Sequence, residues 1–278
     1  MIFWLASYPK SGNTWIRTFI STYFFTEENS FKFDYLKNIK QFPHEKFFND
    51  DLKNINQAIS SWDRAQKKIN RGNQLIFLKT HSALVNINKI PFTTKENTIA
   101  GIYIVRDPRN IITSISNHYQ IDFNQSIKFM TNNRKFLING KNRENFANFT
   151  FLNSWSEHYK SWRENKQFKV LFLKYEDLEN NAFEEFKKIT TFVNNIIKNK
   201  KIVDESRIKK IVDSIRFEEL QKRERKYGFP EAVEKNNRKI KFFYLGRKNK
   251  WQNILNHQQI NMLNSVFLDD LKKLDYKV

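Results

Sequence analysis

Four short apolar runs, each handing the chain on to polar, helix-patterned sequence, constrain the fold more than any other feature. They are residues 2–7, 75–79 (LIFLK), 99–105 (IAGIYIV) and 169–173 (KVLFL). Strand-length runs alternating with helical patterns predict an α/β fold with a central, mostly parallel sheet flanked by helices. A helix is expected over about 14–25 after a turn at 9–12, and another from about Arg109. Over 176–225 the residues Leu178, Phe183, Phe186, Ile189 and Val193 recur near helical spacing and predict consecutive amphipathic helices. Residues 27–73 and 120–150 are rich in Asn, Lys and Phe with weak periodicity. They read as cap or lid segments over the ligand edge of the sheet. With no internal repeat and no Pro- or Ser-rich linker, the expectation is one domain over 1–278.

Composition narrows the chemistry. There are no cysteines, which excludes a disulfide framework and a thiolate metal site and fits a reducing compartment. The formal net charge is +20, which points to an anionic ligand or partner, or else to Lys filling solvated surface. Residues 1–6 are apolar but are followed at once by Tyr8-Pro9-Lys10, without a basic leader or a small-residue cleavage site. No later stretch has the length needed to cross a bilayer, so the expectation is a cytoplasmic protein with no membrane span.

Two segments carry the chemistry. Tyr8-Pro9-Lys10-Ser11-Gly12-Asn13-Thr14-Trp15 follows the first strand and opens a helix. Such a turn aims backbone N–H groups and the positive end of the helix dipole at one point, a P-loop-like arrangement that suits a phosphate. Gly12 permits close backbone approach and Lys10 adds a point charge. The segment lacks GxxxxGK[ST], so it is a poor match for the usual nucleoside-triphosphate loop. An ordinary strand–turn–helix junction is the alternative. Tyr103-Ile104-Val105-Arg106-Asp107-Pro108-Arg109-Asn110, running on to Ser114, puts Arg106 at the carboxyl end of a strand, where open α/β sheets bind ligands. A guanidinium there suits a second phosphate; a surface ion pair with Asp107 is the alternative.

Together these segments resemble the PAPS-dependent sulfotransferase family, which moves a sulfuryl group from 3′-phosphoadenosine 5′-phosphosulfate (PAPS) to a hydroxyl. PKSGNTW is similar to its 5′-phosphosulfate loop, and VRDPRNIITS to its 3′-phosphate motif. The resemblance implies that Lys10 assists the leaving group, that Ser11, Gly12, Asn13 and Thr14 hold the phosphosulfate, and that Trp15 stacks near adenine. It assigns the 3′-phosphate to Arg106 and Ser114. Leu78-Lys79-Thr80-His81 resembles the segment whose histidine is the general base, and imidazole chemistry agrees, since it titrates near neutrality. Lys79 would help neutralise the transferring group. Tyr175 and Phe217 would line the adenosine pocket.

The C-terminal motif departs from the family pattern: aligned on Gly246 and Trp251, Tyr244 and Leu245 stand where a basic pair is usual. Arg247 and Lys248, just beyond the glycine, are the replacements on offer, with Arg247 the candidate phosphate ligand. The partners implied are PAPS, its product adenosine 3′,5′-bisphosphate and a hydroxyl-bearing acceptor, with no metal and no nucleic acid. A phosphoryl transferase or nucleotide kinase on the same core is the main alternative, and a basic nucleic-acid-binding protein is a second. The acceptor and the oligomeric state are not encoded in these motifs.

Overall fold

The computed structural model describes residues 1–49, 51–72, 74–138, 144–200, 202–235 and 238–278, the side chain of Arg238 excepted. Parts of both proposed cap segments, at 50, 73 and 139–143, therefore lie outside the described residues.

The core is a five-stranded sheet of β1 (Ile2–Ser7), β2 (Lys40–Gln41), β3 (Ile76–Thr80), β4 (Thr98–Val105) and β5 (Lys169–Lys174), in the order β2-β3-β1-β4-β5. Every pairing in it is parallel. The apolar runs explain why. Every residue of β1 is buried, with Ile2, Trp4 and Ala6 entering one apolar cluster and Phe3 and Leu5 the other. β4 divides likewise, Tyr103 and Val105 to one face, Ile102 and Ile104 to the opposite face. A strand apolar on both faces is stable only between two layers of helices.

Those layers come from the intervening sequence. The described helices are α1 (Asn13–Tyr23), α2 (Ile55–Asn70), α3 (Pro108–Tyr119), α4 (Phe123–Thr131), α5 (Trp155–Arg163), α6 (Tyr175–Asn180), α7 (Ala182–Ile196), α8 (Glu205–Ser214), α9 (Phe217–Tyr227), α10 (His257–Val266) and α11 (Leu268–Lys273). α2 and α5 contribute Trp62, Trp155 and Trp162 to one face, and α1, α7 and α8 contribute Phe19, Phe186 and Ile211 to the other. Two apolar layers of this size leave the strand ends, not the sheet faces, for ligands.

The four anticipated strands are present, β1 over the residues expected and the other three with one or both edges moved by one residue. β2 was not anticipated: two residues are too short to carry a period. The segment 27–73 thus supplies a strand and a sheet-packing helix, and of its residues Gln41, His44 and Glu45 reach the cleft described below. Strand order reverses at β1, since the chain runs to β3 and β2 on one side and to β4 and β5 on the other. A crevice forms outside the carboxyl ends of strands at such a point.

Candidate active site

A cleft of about 1660 Å³ opens along the carboxyl edge of the sheet. Reading from β5 across to β2, the strand ends bring Tyr175, Arg106, Lys10, His81 and Gln41 to its wall. The turn after β1 is built on left-handed backbone. Lys10 has φ 67° and Gly12, the N-cap of α1, has φ 101°. A Cβ on Gly12 would lie 2.5 Å from Cδ2 of Tyr175, so only glycine allows the ring to close on the turn. Ser11 is fully buried, and its Oγ has no hydrogen-bond partner among the described residues. Asn13 turns inward and donates Nδ2–H to the Leu5 carbonyl at 2.9 Å, tying the turn to β1. Thr14 and Trp15 line the cleft, with the Trp15 ring 5.9 Å from that of Tyr175.

Arg106 comes off β4 beside this turn. Its Nη1 donates to the Lys10 carbonyl at 3.2 Å, its guanidinium lies 4.0 Å over the Tyr175 ring, and its buried Nε is without a partner among the described residues. Asp107 caps α3 and accepts from the Arg109 backbone N–H, with Pro108 in the first helical turn. Arg109 itself is buried: it ion-pairs with Asp107 at 2.8 Å and donates to Asn264 and to the Lys277 carbonyl. Of the two arginines in this motif, only Arg106 lines the cleft. Ser114, two turns along α3, also lines it, and the Asn249 amide donates to its Oγ at 3.4 Å.

His81 stands two residues beyond Lys79. Its Nδ1 is 2.7 Å from the Ser7 carbonyl. A carbonyl can only accept, so Nδ1 carries the proton and Nε2 keeps its lone pair. His158 Nε2–H donates to the His81 carbonyl at 3.0 Å, and its Nδ1 accepts from Tyr103 OH at 2.8 Å, which fixes the backbone on which His81 sits. Burial, reinforced by the Lys79 charge, holds the His81 imidazolium far below its ordinary pKa. The ring is therefore neutral at physiological pH. Burial, with Lys79 and Arg106 adding, also pushes Lys10 down to about 7, against the pull of Glu231.

Several participants were not read from the sequence. Glu231, in the loop after α9, accepts from Arg17 of α1 at 2.5 Å and from Lys79 at 3.1 Å. Burial alone would raise its carboxyl pKa, but those two cations hold it well below the carboxylate range. Lys79 is thus committed to a carboxylate. Phe242 lies under the Lys10 ammonium, which is 3.7 Å from the ring centroid. His118 lines the cleft from the last turn of α3, its pKa lowered to about 3 by burial and then by Lys10 and Lys79. A signal for His118 existed, since it lies four residues after Ser114 and so on the same helix face. Glu231 and Phe242 had none, because they lie in charged, weakly patterned sequence.

The C-terminal segment lines the cleft from Phe242 to Arg247 and again at Asn249. Phe217 opens α9 and packs on Gly246, where a Cβ would meet its Cε1 at 2.5 Å. Arg247 lines the cleft and donates to the Glu179 carbonyl at 3.3 Å, whereas Lys248 is exposed outside the lining. Of the two basic residues offered for the missing pair, Arg247 alone is brought to the site.

A parallel sheet with two cationic turns flanking its switch point defines an α/β protein of the doubly wound class, with its ligand crevice at the carboxyl edge. Within that class, residues 2–275 match the sulfotransferase domain, and the chain belongs to that family. It is 26% identical over 192 residues to Sulfotransferase 1B1 of Mus musculus, covering 68% of this chain and 59% of the relative. With Cytosolic sulfotransferase 15 of Arabidopsis thaliana it shares 25% identity over 279 residues, covering 96% and 71%. The match thus spans about three-fifths of the mouse relative's length. The mouse sulfotransferase SULT7A1 complexed with PAP has the same fold, with a TM-score of 0.61 at 21% identity over 99% of this chain and 84% of that one. Retinol dehydratase in complex with androsterone and inactive cofactor PAP superimposes with a TM-score of 0.60 at 16% identity, covering 100% and 82%. No helix among the described residues is long and apolar enough to cross a membrane.

Proposed function

We propose that this chain transfers a sulfuryl group from PAPS to a hydroxyl-bearing acceptor. The observation that carries the reading is the convergence on one cleft of the Lys10–Trp15 turn, Arg106 with Ser114, and a neutral His81 whose Nδ1 proton is already committed. A buried donor fits such a nucleotide. Arg106, on the cleft wall, has a buried Nε with no protein partner among the described residues, and a buried donor of this kind is costly unless a ligand or water satisfies it.

When bound, PAPS supplies an activated sulfuryl group on a phosphate leaving oxygen. The protein's part is positional and electrostatic. The N–H groups of the turn and the start of α1 face the phosphosulfate. Lys10 brings a positive charge to the leaving oxygen, and preorganised charge of this kind is a large contributor to barrier reduction. Arg106 and Ser114 take the 3′-phosphate, with Arg247 as an outer ligand, and Trp15, Tyr175 and Phe217 flank the adenine. His81 Nε2 accepts the acceptor's hydroxyl proton. Lys79, paired with Glu231, acts at longer range by keeping the base neutral and the cleft positive.

We also infer that residues 1–278 act as one sulfotransferase domain, with 27–73 and 120–150 framing the acceptor end, and that the protein works in the cytoplasm. The competing reading is phosphoryl transfer. Thermal shift with adenosine 3′,5′-bisphosphate and with Mg·ATP separates the two. Sulfuryl transfer predicts stabilisation by the bisphosphate at micromolar concentration and little by Mg·ATP. A preference for Mg·ATP would overturn the proposal.

A further inference from the structure

The order of groups along the sheet edge divides the cleft. Tyr175, Arg106 and Lys10 follow β5, β4 and β1, and His81 follows β3. An acceptor hydroxyl has to reach His81 from the side the nucleotide leaves free, which is the β2 side. Gln41 stands there, in register with Lys79 and joined to it through the Phe42 N–H to Lys79 carbonyl bond of 2.8 Å.

The 27–73 and 120–150 segments are rich both in Phe, which suits a flat apolar acceptor, and in Asn and Lys, which suit a sugar. Their side chains face opposite ways. Those segments hold ten phenylalanines, five in each, and none lines the cleft among the described residues. Phe42 packs on Trp4, Phe47, Phe48 and Phe92, Phe149 stacks on Trp62, and Phe129 on Tyr119. What these segments present to the cleft is Gln41, His44, Glu45, Leu137 and Asn148. His44 accepts the Lys46 backbone N–H on Nδ1. With Nδ1 accepting, the ring proton sits on Nε2, which is an N–H donor, and burial lowers the imidazole's pKa. Asn148 is buried, and its Oδ1 accepts the Glu45 N–H at 3.1 Å, which leaves its amide N–H groups as the donors on offer. Gln41 supplies both a donor and an acceptor.

From this placement, and resting on the sulfuryl-transfer reading above, we infer that the acceptor is a polyhydroxylated, saccharide-type molecule recognised by Gln41, His44 and Asn148. Vicinal hydroxyls each donate and accept, which matches an amide, an imidazole N–H and the Glu45 carboxylate on one rim. A flat apolar phenol would leave the amide N–H groups of the buried Asn148 without a partner, and a site whose buried polar groups bond a hydroxyl discriminates strongly against analogues that lack it.

The test uses the full chain with 35S-labelled PAPS and a fixed panel: maltose, cellobiose and N,N′-diacetylchitobiose against 2-naphthol. The inference predicts that at least one disaccharide exceeds 2-naphthol in kcat/KM by about tenfold or more. It also predicts that Gln41→Leu raises the KM for that disaccharide by about tenfold, a single lost contact to a neutral group, while leaving the KM for PAPS unchanged. Gln41 is chosen because its side chain bonds no other described residue, and His44→Phe is the second variant should Gln41→Leu fail to fold. Preference for 2-naphthol, or an unaltered disaccharide KM in both variants, would overturn the inference. Thermal stabilisation by adenosine 3′,5′-bisphosphate, measured on the same preparations, judges the donor reading separately. If it persists while 2-naphthol is preferred, only the acceptor class is wrong; if it is absent, the donor reading fails as well.

Discussion

Replacing Gly12 by alanine probes the donor turn with the least chemical change. The backbone at Gly12 has φ 101° and ψ 9°, a region in which a Cβ costs about 1–2 kcal/mol. The new methyl would also lie 2.5 Å from Tyr175 Cδ2 and 3.2 Å from Ile104 Cδ1. Tyr175 is the side chain able to yield, but it is wedged between Trp15 and the Arg106 guanidinium. Displacing it adds about 1 kcal/mol, the cost of an off-rotamer side chain. The sum is about 2–3 kcal/mol, which at an unfolding entropy of about 0.6 kcal/mol/K for a chain of this length lowers Tm by about 3–5 °C. If closing the turn on the nucleotide adds further strain of about half that size to the liganded state, the Kd for adenosine 3′,5′-bisphosphate rises about tenfold. Scanning fluorimetry and titration calorimetry on Gly12→Ala measure both quantities. Gly72→Ala, where a Cβ meets nothing within 4 Å, serves as the control. A Gly12→Ala protein with wild-type Tm and wild-type Kd would refute the reasoning.

Three other outcomes follow from the geometry. Arg106→Gln should weaken adenosine 3′,5′-bisphosphate by about 10–100-fold, the worth of a charge-assisted hydrogen bond, and leave adenosine 5′-phosphosulfate nearly unaffected; equal losses for both nucleotides would contradict the 3′-phosphate assignment. Lys10, pushed down to about 7 by burial, is charged below that pH and neutral above it, so the KM for PAPS should rise as pH climbs through 7, and a Lys10→Met variant should show no such rise. Glu231, held low by Lys79 and Arg17 against burial, contributes stability that is complete above the ordinary carboxylate pKa of about 4.3 and is lost as pH falls towards its depressed native value. Glu231→Gln should therefore cost about 2–3 kcal/mol at pH 7, below the range for fully buried pairs because the side chain is 30% exposed, and less at pH 3 in urea titrations. An equal cost at both pH values would contradict the ion-pair account.

The strands and the turn after β1 were legible because burial on both faces and a strand-to-helix turn each impose local residue choices. Tyr175 and Phe217 were reached through the family resemblance, and their contacts with Gly12 and Gly246 now give each a steric reason. Arg109 stands three residues from Arg106 in the same cationic motif, yet its guanidinium is spent on Asp107, Asn264 and the tail at Lys277. Sequence spacing cannot tell an arginine that closes the core from one that faces a cleft. Glu231 was illegible for a related reason, since it meets Lys79 across 152 positions and Arg17 across 214. The direction of the lid phenylalanines was equally hidden, because weak periodicity does not say which face is inner.

The central claim is that His81 serves as base in transfer from PAPS bound at Lys10 to Trp15 and Arg106. Its most direct test is release of adenosine 3′,5′-bisphosphate from labelled PAPS in the presence of acceptor, compared between wild type and His81→Ala. The account predicts acceptor-dependent turnover in the wild type, lost by at least about 100-fold in His81→Ala with bisphosphate affinity nearly unchanged. Turnover that survives the substitution, or bisphosphate binding that collapses while the fold persists, would contradict it.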